Sequence, residues 1–189
     1  MRWEDLFADL EQQWEALAEG ERQAEIAERT RAEFAQLTLL DRLRGSEGRE
    51  VRVRTRGGQD VEGRLCRVGA DFLLLAPARR ECVLPLHAVS AVTGLGDASV
   101  PEAAAGAVRA RLGLGSVLRR VAADRSQVSL VTADGAVLNG TLQRVGSDFV
   151  EMAVHAPGDA LEAARSRRLT LVPFAALEVL RRDAEGSGL

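Results

Sequence analysis

The chain has no tyrosine and no lysine, and cysteine, histidine, methionine and tryptophan occur only twice each. Each scarcity removes a class of function. Cys66 and Cys82 with His87 and His155 do not form the four-ligand Cys/His spacing of a zinc site, so two reduced thiols, no metal and no cofactor are expected. Aromatics make up 4% of the chain, which leaves little surface on which bases could stack. Apolar runs such as Phe72 to Ala78 fall far short of the ~20 residues that cross a bilayer. The start, Met1-Arg2-Trp3-Glu4-Asp5, is acidic, the reverse of a signal peptide's basic opening. A soluble cytoplasmic chain without a membrane segment is expected. There is also no nucleophile elbow, phosphate loop or dinucleotide fingerprint after Gly94-Leu95-Gly96, so no enzyme is expected.

Hydrophobic residues amount to 46% of 189, enough for a core. All 25 basic residues are arginine, which with the richness in alanine reads as a GC-biased genome more than selection for phosphate binding. Net charge is −3, unevenly spread. Residues 1–37 hold ten acids and four arginines (4 − 10 = −6), and residues 38–189 hold 21 arginines and 18 acids (21 − 18 = +3). An acidic arm thus precedes a mildly basic body.

An internal duplication is the strongest signal. Val51, Thr55, Gly58, Gly63, Leu65, Arg67, Val68, Gly69, Asp71 and Phe72 recur without a gap at an offset of 77 (140 − 63), and Leu138 answers Val61. Further on, Leu84-Pro85-Leu86-His87-Ala88-Val89 corresponds to Val172-Pro173-Phe174-Ala175-Ala176-Leu177 at an offset of 88 (172 − 84). The second copy therefore carries eleven extra residues (88 − 77), a longer loop around His155 to Arg165 between its third and fourth strands. Val51, Val53 and Thr55 alternate with Arg52, Arg54 and Arg56, the period of a half-buried strand. Gly57-Gly58 and Asp134-Gly135 are hairpin turns, and Gly63 marks a bend in the second strand. Phe72 to Leu75, Cys82 to Pro85 and Val89 to Val92 complete five short strands, with Ala88 in the last turn. Such bent strands are expected to close into a small barrel.

Short helices precede both copies, at Leu39 to Arg44 and Val117 to Val121. This order, with Gly63-x-Leu65-x-x-Val68 and His87-Ala88-Val89-Ser90-Ala91-Val92, resembles the Sm and Sm-like (LSm) family, bacterial Hfq included, over residues 38–95 and 116–182. The resemblance implies two tandem Sm-like barrels, mainly β, behind an N-terminal amphipathic helix. It implies open edges at which the fourth strand of one module pairs with the fifth strand of the next, so that the two barrels of one chain either pair with each other or help build a pseudo-symmetric ring by self-association. The domains are expected at 1–37 (acidic arm), 38–95, 96–115 (linker, with one more helix at Pro101 to Leu112), 116–182 and a tail at 183–189. The family's base-gripping asparagine is replaced by Leu73 and Val150, its aspartate by Gly69 and Gly146, and the residues before and at the Hfq-like histidine by Leu86 and, in the second copy, Ala175.

Two functional expectations follow. Arg52, Arg54 and Arg56 on one strand, Arg64 and Arg67 on the next, and His87 form a candidate nucleic-acid-binding face for single-stranded RNA, since clustered guanidinium groups hold phosphates. The other reading of that face is a solvated sheet exterior. In the second copy Ser129, Val131 and Ala133 stand where the first has arginines, and Arg165, Arg167 and Arg168 form a weaker basic group. The alternative function is a protein-interaction adaptor or oligomeric scaffold. Trp3, Phe7, Leu10, Trp14 and Leu17 step three and four residues apart along an amphipathic helix that either folds back on its own barrel or binds a partner or a second copy, with Gly20 interrupting the seam. Asp71 and Asp148, in a repeated Gly-x-Asp-Phe, read as turn residues more readily than as a carboxylate pair.

Overall fold

A computed structural model describes residues 3–78, 80–101, 104, 112–154 and 168–183. The chain falls into two units, residues 1–38 and 39–189. The first is one helix, α1 (Trp3–Ala35), 33 residues long and continuous through Gly20. No helix among the described residues is long and apolar enough to cross a membrane.

The second unit begins with α2 (Leu39–Arg44) and five strands: β1 (Glu50–Thr55), β2 (Asp60–Val68), β3 (Phe72–Ala76), β4 (Arg80–Pro85) and β5 (Val89–Thr93). A second helix, α3 (Leu114–Asp124), leads into β6 (Gln127–Thr132), β7 (Val137–Val145), β8 (Phe149–Val154), β9 (Arg168–Pro173) and β10 (Leu177–Asp183). The duplication is visible in detail. Irregular pairing falls between Leu65 and Arg67 in β2 and between Leu142 and Arg144 in β7, 77 residues apart (142 − 65). A Cβ on Gly63 would meet the backbone of Ala76 and Pro77 at 2.7–2.9 Å, and one on Gly140 the backbone of Ala153. Glycine therefore lets β2 and β7 approach the following strand closely. The longer second-copy loop, the helix expected over Pro101 to Leu112, and Arg165 and Arg167 lie wholly or largely outside the described residues, as does the tail from 184.

The expectation of two closed Sm-like barrels is corrected. All ten strands form one open, antiparallel sheet in the order β5-β1-β2-β3-β4-β10-β6-β7-β8-β9. Closing the first half on itself would require β4 to pair with β5. Instead β4 pairs with β10, setting Leu180 against Val83 and Arg182 against Glu81, and the sheet runs on into the second half. The joint is held by Arg182, which donates to Glu81 Oε2 at 2.6 Å, and by apolar packing. The two cores cross it. Val131 and Val179, both fully buried, pack with Val53, Leu65 and Leu84, while Phe72 and Val83 pack with Leu118, Leu130 and Leu142. A strand satisfied on both edges has no need to curl back to its own half.

Candidate functional site

Directly opposed residues on antiparallel strands share a face, so register decides what surrounds the expected basic face. Each of three arginines stands across from an acid: Arg52 from Glu62, Arg54 from Asp60 and Arg64 from Glu50. Arg52 closes on Glu62 Oε2 through both Nε (3.1 Å) and Nη2 (2.6 Å), and that carboxylate raises its pKa. Arg56 lies beyond β1, where its N–H donates to Ala88 O at 2.8 Å and so draws the His87 turn against the strand end. Arg67 follows the irregular pairing of β2, and Arg54, Arg56, Arg64, Arg67 and His87 are all exposed. The structure thus gathers the six residues on and around β1 and β2, with three of them, Arg52, Arg54 and Arg64, each set across from an acid. The acids were present in the sequence at Glu50, Asp60 and Glu62. Only the register shows that they face the arginines.

On α1 the side chains are described from residue 12 onward. Trp14 and Leu17 are 72% and 63% exposed, as are Ile26 (64%) and Phe34 (61%), while Trp3, Phe7 and Leu10 belong to the helix backbone with side chains outside the described set.

The two thiols differ sharply. Cys66 is exposed on β2 and Cys82 is buried in β4, where burial raises its pKa against the opposing pull of Arg181 and Arg80. Among the described residues no three His, Cys, Asp or Glu side chains are grouped to hold a metal ion. The repeated aspartates sit at turns. The carbonyls of Asp71 and Asp148 accept from Leu86 N (2.8 Å) and Phe174 N (2.7 Å) at matching positions. The Asp71 carboxylate also accepts from Leu114 N at 2.6 Å, the first residue of α3.

The residues that sequence reasoning passed over lie at the sheet's ends and at its joint. β5 and β9 are the terminal strands. On β9, Leu169 and Leu171 are 57% and 59% exposed. Their period-two spacing is the signal the sequence offers for them. No protein-family model matches the chain, and no curated protein matches it.

Proposed function

We propose that this chain is a self-assembling scaffold whose copies join end to end, β9 of one against β5 of the next. The carrying observation is a comparison of the two halves. β4 and β9 occupy matching positions, as do β10 and β5, and β4 is paired with β10 inside the chain. What that joint buries, the free ends leave open. Val83 on β4 is 6% exposed, whereas its counterpart Leu171 on β9 is 59% exposed. Val179 and Leu180 on β10 are buried, while their counterparts Ala91 and Val92 on β5 are exposed and half-buried.

The helices support the same geometry. Ser116 on α3 lines the cleft over the internal joint with Val83 and Leu74. Its counterpart on α2 is Leu39, 49% exposed. Transferring the internal register places Leu171 against Val92 and Thr170 against Thr93 of the second copy, with Leu39 of that copy over them. This contact is apolar where the internal one has Arg182 and Glu81, since Leu169 and Gly94 stand at those positions. Exposed apolar edge strands are what soluble proteins normally blunt, so two complementary ones point to use. A head-to-tail contact of this kind yields a ring if the rotation closes and a filament if it does not.

Sedimentation velocity over a concentration series tests the reading. The wild-type protein is expected above monomer mass, dissociating on dilution. The double change Leu169→Lys and Leu171→Lys, or Val92→Lys alone, is expected to leave a monomer with an unaltered circular dichroism spectrum. A wild-type chain that stays monomeric throughout defeats the proposal. A mass that survives the edge changes and falls with Trp14→Ala plus Leu17→Ala moves the contact to α1.

A further inference from the structure

Where β4, β10, β6 and β7 lie side by side, register builds a row across the sheet: Cys82 opposite Arg181, Arg181 opposite Ser129, Ser129 opposite Asn139. Two residues back along their strands, and so on the same face, stand Arg80 and Gln127. Arg80, Arg181, Gln127, Ser129 and Asn139 line a cleft of about 380 Å³. That size lies within the ~300–1,000 Å³ of small-ligand sites.

The half-buried Arg181 is the unusual member. Its guanidinium donates to Gln59 Oε1 at 3.0 Å and forms no ion pair among the described residues. A partly desolvated cation is normally held by a carboxylate, because a neutral partner compensates its lost hydration poorly. The first half shows the ordinary solution. Its matching row reads Thr93, Arg52, Glu62, and there Arg52 is clamped by Glu62. In the second half the cation has moved one strand over, to Arg181, and the acid has become Asn139. What remains is a cleft centred on the Arg181 guanidinium, lined also by two amides, a hydroxyl and the side chain of Arg80.

We propose that this cleft binds a phosphate group. A phosphate offers three strongly accepting oxygens, which suits several converging donors better than the two oxygens of a carboxylate. No aromatic side chain lines the cleft, so recognition falls on the phosphate and not on a base. The group comes either from a small phosphate compound or from a nucleic-acid backbone. The site is independent of the sheet ends.

Isothermal titration of the full-length protein at low salt, first with inorganic pyrophosphate and then with a mixed single-stranded RNA, tests the site and separates the two sources. Saturable binding is expected for at least one. Arg181→Gln is expected to weaken it by about tenfold or more, the loss of one charge-assisted hydrogen bond. Asn139→Asp is expected to do the same by giving Arg181 an internal carboxylate, while Arg144→Gln, at an arginine paired with Glu151, leaves binding unchanged. Because Glu62 occupies the place matching Asn139, an acid there is compatible with the fold, and an unchanged thermal melt verifies it. Binding of pyrophosphate alone identifies a small-molecule site, and binding of RNA alone a backbone site. No saturable binding of either, or binding indifferent to both Arg181→Gln and Asn139→Asp, overturns the proposal.

Discussion

Phe72 is 1% exposed, and its ring lies where a Cβ on Gly69 would have to go; Phe149 covers Gly146 in the same way. The repeated Gly-x-Asp-Phe is therefore a packing device as well as a turn, with glycine as the floor on which the aromatic ring folds back. Gly69→Ala is expected to cost about 1–3 kcal/mol, the usual penalty for overfilling a tight site. Gly146→Ala is expected to cost less, since Phe149 is only half-buried and can yield. Denaturant unfolding of the two variants measures both, and a neutral Gly69→Ala would show that the ring moves freely. The recurrence of these residues was legible in the sequence; the ring above the glycine was not, since side-chain direction follows from strand geometry. The same holds for Asp71. Its turn role was readable, but its bond to Leu114, 43 residues on, exists only because the fold brings α3 to it.

At the level of elements, strands read well and partners read poorly. Alternation in Val51 to Thr55 is a local property, and β1 lies where it predicts. Partner choice rests on pairs such as Arg182 with Glu81, 101 residues apart, which no periodicity reports. Gly20 breaks the apolar seam of α1 without breaking the helix, because a glycine costs only ~1 kcal/mol relative to alanine and a helix already nucleated propagates through it. The least foreseeable contact is Glu178 on β10. It is 2% exposed, and its Oε2 accepts from Gly57 N, 121 residues away, at 3.0 Å. This ties the β1–β2 turn to the far half of the sheet. Glu178→Ala would remove a buried carboxylate and this charge-assisted bond to Gly57, and is expected to destabilise the protein by about 1–3 kcal/mol, with Glu178→Gln recovering part of the loss. Equal stability of all three proteins in urea would reduce the bond to an incidental one.

For the molecule as a whole, the duplication invites a picture of two beads, and the packing denies it. Val131 and Val179 from the second half are 0% exposed among first-half residues, and Phe72 and Val83 from the first are buried among second-half ones. Severing the halves would uncover all four and strip β4 and β10 of their pairing. Small β units already sit near the limit of what their own cores can stabilise. Residues 39–189 are therefore expected to unfold as one cooperative unit, with near-ultraviolet circular dichroism and calorimetry reporting the same midpoint. Residues 39–95 and 112–183, produced separately, are expected to lack a cooperative transition, and mixing them to restore part of it through the β4–β10 joint. Either fragment melting cooperatively on its own would return the molecule to two independent modules, and the joint would then be a docking contact between finished domains instead of part of the core.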